Sequence, residues 1–169
     1  MAKFGENGAA WIMRLTAVLV IGLSLCAAAT AQAGDLNIRG RFVNAGVELD
    51  VATYAAPNDK GVEERVLLLA IKSPGHAISV ALDRTELPKL QALWGQAQNA
   101  QSDEWRYVGD FTESGTSDVS HLKVSAGPGV RYIIESPAKG ASTADLAPSD
   151  MKAFGSALDA AAAYVQSSN

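Results

Sequence analysis

The chain has 169 residues, a formal net charge of −4 and 48% hydrophobic residues. That length suits one domain of ordinary size, and mild acidity without any run of Lys or Arg argues against nucleic acid as a partner. One cysteine and two histidines exclude a disulfide framework and leave too few ligands for an evident metal site, so no metal and no cofactor is expected.

The N-terminal stretch sets the destination. "MAKFGENGAAWIMR" carries Lys3 and Arg14, "LTAVLVIGLSLCAAA" is apolar from Leu15 to Ala29, and Ala31 and Ala33 flank Gln32. A basic start, an apolar centre and an A-x-A site form the tripartite pattern of a secretory signal peptide. Residues 1–33 are therefore expected to be removed after Ala33, giving a periplasmic or secreted product that meets a membrane only through this segment during export. The alternative is a retained anchor, because Leu15 to Ala33 is just long enough to span. Leu25, preceding Cys26, is not the small residue that lipoprotein processing requires. Cys26 leaves with the signal, so the mature chain is cysteine-free. Loss of Lys3, Arg14 and Glu6 leaves twelve basic and seventeen acidic residues.

Residues 34–169 then read as a single α+β domain. "LNIRGRF" (36–42) is a short opening strand. "VELDVATY" (47–54) alternates Val47, Leu49 and Val51 against Glu48 and Asp50, the period of a half-buried strand. "VLLLAIK" (66–72) is apolar throughout, as a central strand is. "AISVAL" (77–82) alternates again. "LPKLQALWGQAQN" follows with apolar residues at helical spacing, and the helix is expected over about 85–99 with Thr85 as N-cap, which places Pro88 where no backbone N–H is needed.

After the polar linker "GQAQNAQSD" (95–103) the order repeats. "EWRYVGDF" (104–111) and "SHLKVS" (120–125) are strands, and "AGPG" (126–129) turns the chain into "VRYIIES" (130–136), a hairpin signal. "ASTADL" (141–146) is a short edge strand or a loop. A second helix is expected over about 149–166. Shifting the sequence by 64 residues lays Leu82 on Leu146, Thr85 on Ser149, Leu87 on Met151, Leu90 on Phe154 and Trp94 on Leu158. Strands then a helix, twice, predict an antiparallel sheet of about six or seven strands with both amphipathic helices on one face. The scheme is a degenerate (βββα)×2 duplication with half-repeats at about 36–99 and 104–166.

Chemistry is thinly signalled. His76 follows "SPG" on a turn. His121 stands beside Ser120 and near Asp118, a set that could be drawn as a hydrolytic triad, but no G-x-S-x-G elbow supports it. No G-x-G-x-x-G or P-loop opens a helix. Trp105, Tyr107, Phe111 and Tyr132 gather on neighbouring strands and are expected to form core beneath the helices. The composition thus points to a small exported, non-catalytic binding or interaction protein whose partner is a protein or a small molecule, with homodimerisation through an open sheet as a further expectation. The competing reading is an extracytoplasmic hydrolase-like enzyme using His121 with Asp118 or Ser120.

Overall fold

The structure is a computed structural model that describes residues 34–58, 60–112 and 120–167. The expected signal peptide, its cleavage site and Cys26 lie outside the described residues. Four strands and a helix occur twice in succession. β1 (Asp35–Asn44), β2 (Val47–Pro57), β3 (Glu63–Ser73) and β4 (His76–Leu82) lead to α1 (Leu87–Asn99), and β5 (Arg106–Thr112), β6 (His121–Ala126), β7 (Val130–Ser136) and β8 (Gly140–Leu146) lead through a short 3₁₀ turn to α2 (Met151–Gln166).

The protein is α+β, but the single sheet of six or seven strands is corrected. There are two antiparallel sheets of four strands, ordered β1-β2-β3-β4 and β5-β6-β7-β8. Both weakly signalled segments, 36–42 and 141–146, are strands, so each half is ββββα. Local turns close each sheet as a meander. Ala45 and Gly46, both at positive φ, join Asn44 to its partner Val47, the two-residue geometry that matches strand twist. Pro74-Gly75 does the same between Ser73 and His76, with Gly75 supplying the positive φ. Side-chain alternation specifies which residues face inward, but it does not say whether β4 and β5 are neighbours. They are not, because α1 and the 100–105 linker intervene.

The helices exchange sheets. α1 follows the first sheet yet packs chiefly on β5 and β6, while α2 follows the second sheet and packs on β1, β2 and β3. Two glycines show how alike the exchanges are. A Cβ on Gly40 of β1 would lie 2.8 Å from Ala157 of α2, and one on Gly109 of β5 would lie 2.6 Å from Leu93 of α1. Each glycine follows a bulge in its strand, and each lets a helix approach the backbone closely. Leu93 and Ala157 are the same position under the 64-residue shift.

One core results. Leu87, Leu90, Leu93, Trp94 and Ala97 of α1 are buried together with Phe154, Ala157, Leu158, Ala161 and Val165 of α2 and the inward side chains of both sheets. Phe154 sits at its centre. Its ring centroid is 5.5 Å from Phe42 of β1, 4.9 Å from Trp94 of α1 and 5.3 Å from Tyr132 of β7. A smaller apolar cluster, Ala52, Tyr54, Val66 and Leu68, occupies the other side of the first sheet. Arg65 clamps the end of α2: its guanidinium donates to the Tyr164 carbonyl and the Ser167 hydroxyl and stacks 4.4 Å from the centre of the Tyr164 ring. A cation at a helix C-terminus also meets the negative end of the dipole.

Helix α1 starts later than expected. Its first residue is Leu87, and Thr85 does not cap it. Asp83 organises the approach instead, its Oδ1 accepting from the Thr85 and Glu86 backbone N–H groups and from the Thr85 hydroxyl. Pro88 still falls in the first turn, where its missing N–H costs nothing.

Candidate interaction edge

The expected aromatic core cluster divides. Phe111 and Tyr132 are buried, but Trp105 and Tyr107 are exposed. The cause is the bulge between Tyr107 and Gly109, which resets the strand's alternation so that residues before it no longer share a face with Phe111 in the simple two-residue period. Trp105 has Gly127 beneath it and the Arg131 guanidinium 4.1 Å from its ring centre, and Arg131 in turn forks onto Asp145. The Tyr107 hydroxyl donates to Asp110, an interaction that raises the phenol's pKa above its ordinary value.

The residues drawn as a triad separate. His121 begins β6 with its side chain outward, its Nδ1 2.9 Å from the Thr112 hydroxyl oxygen. Ser120, just before the strand, is buried. Asp118 lies outside the described residues. His76 is at the head of β4, where its strand partner is Ser73. Among the described residues no three of His, Cys, Asp and Glu are grouped so as to hold a metal ion.

The outer faces of both sheets carry charge in matching places. On the first, Asp50 is buried between Arg41, which donates to it through Nε at 2.9 Å and Nη2 at 3.1 Å, and Lys72, which also reaches Glu48 at 3.0 Å. Burial alone would raise the Asp50 carboxyl; the bonds from Arg41 and Lys72 outweigh it and hold the pKa below its ordinary value. On the second sheet Lys123 and Glu135 form the corresponding pair, 2.7 Å apart, with the signs reversed. These groups satisfy one another, and they present no free charge converging on a point.

What remains unsatisfied is an edge. β1 is ten residues long, ends the sheet order and contains no fully buried residue. Leu36, Ile38 and Val43 are 52%, 45% and 63% exposed. Three of the six large apolar residues that are exposed among those described therefore lie on this one strand, and Trp105 and Tyr107 stand at its counterpart β5. Edge strands are ordinarily protected by Lys, Pro or outward charges. β1 has no Lys or Pro; what it carries is the bulge at Arg39, the exposed Asp35 and two arginines that are both engaged by other groups of the protein. Arg39 donates to the Thr53 hydroxyl and lies 5.0 Å over Tyr164, while Arg41 is held by Asp50. The signal missed in the sequence was this one: "LNIRGRF" is the body of a ten-residue edge strand whose Leu36, Ile38 and Val43 stay exposed.

Comparisons with protein-family models, with curated proteins and with solved structures found no match.

Proposed function

We propose that the protein is an exported, non-catalytic interaction module that receives its partner along the open edge of β1. The single observation carrying this reading is the ten-residue edge strand, unpaired on one side among the described residues, with Leu36, Ile38 and Val43 exposed along it. An extended segment added there would bond to the unpaired backbone groups of β1 and set its own side chains against that apolar row. Export rests on the tripartite N-terminal pattern, which makes the periplasm or the exterior the place of action. The repeated ββββα order, the sequence match at a 64-residue shift and the paired glycine–helix approaches support descent from a duplicated unit. The hydrolase reading draws less support, since the His121 ring meets the Thr112 hydroxyl and Ser120 is buried.

The test is capture from an envelope fraction followed by hydrogen exchange on the complex. Protection gained by the backbone amides of residues 35–44, together with loss of capture by Ile38→Lys and retention by His121→Ala, is the expected result. Protection confined to β6–β8, or loss of capture in His121→Ala alone, would refute the reading.

A further inference from the structure

Resting on the β1 edge just described, a second copy of the chain is the occupant that this strand fits. The argument is one of faces. Leu36 pairs with Tyr54, Ile38 with Ala52, Arg41 with Asp50 and Val43 with Glu48, so these four share the outer side of the sheet. Asn37, Gly40 and Phe42 pair with Thr53, Val51 and Leu49 and share the inner side. In an unbroken strand Leu36 and Val43 would point to opposite sides, because their positions differ by seven, an odd number. The bulge at Arg39 absorbs one residue and brings them onto one face.

That shift permits a register of self-pairing in which the two apolar ends of the strand meet. When two β1 strands run antiparallel about a twofold axis perpendicular to the sheet, directly opposed side chains must share a face. Placing the axis at the Arg39–Gly40 bulge sets Leu36 opposite Val43 of the second copy, Asn37 opposite Phe42 and Ile38 opposite Arg41, and every pair obeys the requirement. The end pairs are apolar against apolar. In the middle, the head of Arg41 is already held by Asp50, leaving its aliphatic stem for Ile38. At the axis Arg39 stands opposite Gly40, which makes the two Arg39 residues neighbours, and each guanidinium is drawn away to Thr53 and Tyr164 of its own copy.

We infer that the protein dimerises through antiparallel pairing of β1 with β1 of a second copy, in this register, extending the first sheet to eight strands across the axis.

Sedimentation of the purified protein across a hundredfold concentration range measures the equilibrium, and paired cysteines measure the register. The wild type is expected to dimerise, and Ile38→Lys to weaken the dimer at least about tenfold without changing the far-UV spectrum, since the site is 45% exposed. In a Cys26→Ser background, Leu36→Cys with Val43→Cys should give a covalent dimer on oxidation with diamide. Either cysteine alone should not, because Leu36 of the two copies would lie on the order of 20 Å apart, far beyond disulfide reach. A monomer at every concentration overturns the inference, as does a dimer indifferent to Ile38→Lys that fails to cross-link in the double variant. If the protein is monomeric yet still captures an envelope partner that Ile38→Lys loses, self-pairing falls and the edge reading survives. If both fail, the edge reading falls as well.

Discussion

Phe154→Ala is the sharpest probe of how the two halves are joined. Phe154 is fully buried, and its ring touches Phe42 from the first sheet, Trp94 from the first helix and Tyr132 from the second sheet. Removing it deletes apolar contacts on both sides of the molecule and leaves a cavity that four rigid elements cannot close together. Core Phe→Ala changes cost about 3–5 kcal/mol, against a total stability of roughly 5–15 kcal/mol for a domain. For a chain of this size each kcal/mol lowers the midpoint by about 3–5 °C, so a fall of about 10–20 °C is expected. Phe154→Leu keeps most of the volume and should cost about 1–2 kcal/mol, which covers the case in which the alanine variant does not fold. Far-UV circular dichroism reports both sheets, and Trp94, packed on Phe154, reports the core by near-UV signal. Because one core serves both halves, the two probes should shift together and remain coincident. A biphasic transition, in which one half melts early and the other keeps the wild-type midpoint, would refute the idea of a shared interior. So would a cost below about 1 kcal/mol.

Two further outcomes follow from buried polar groups. The Tyr132 hydroxyl is buried without a hydrogen-bond partner, and burial pushes its pKa well up, so Tyr132→Phe should stabilise by about 1 kcal/mol in urea unfolding; a loss of that size would show that the hydroxyl is bonded after all. Asp50 has its pKa lowered in the fold, so its contribution is present above the ordinary carboxylate value of 3.8 and is lost as pH falls through the depressed one. Asp50→Asn should cost about 1–2 kcal/mol at pH 7, a figure held down because Arg41 and Lys72 are 46% and 38% exposed. The gap between variant and wild type should narrow in urea titrations taken below about pH 3, and a gap that stays constant with pH would contradict the assignment.

Much of the local structure was legible from the chain alone. The spacing Leu87, Leu90, Leu93, Trp94, Ala97 names the buried stripe of α1, and the same spacing from Met151 names that of α2, with Met151 itself only partly buried. Helical period is a property of the backbone, and amphipathic spacing therefore declares a face before any partner is known. The turns at Ser73–His76 and Ala126–Val130 were equally local, marked by Pro74-Gly75 and Gly127-Pro128-Gly129, whereas that at Asn44–Val47, with Ala45 at positive φ, was not signalled. The aromatic cluster was misread because Gly109 hides a bulge, and a bulge defeats counting by two.

What the sequence by itself determined, then, was the content of each half: its strands, its helix and their inward residues. Only the tertiary structure decided that the strands close into two sheets rather than one and that α1 and α2 exchange sheets. It alone decided that Arg39 is drawn to Thr53 and Tyr164 and Arg41 to Asp50, which leaves Leu36, Ile38 and Val43 exposed on β1. These choices depend on which surfaces meet across more than sixty residues of chain. Both arrangements bury the same stripes, so local pattern gives them equal weight, and the difference lies in close contacts such as Gly40 against Ala157 and Gly109 against Leu93.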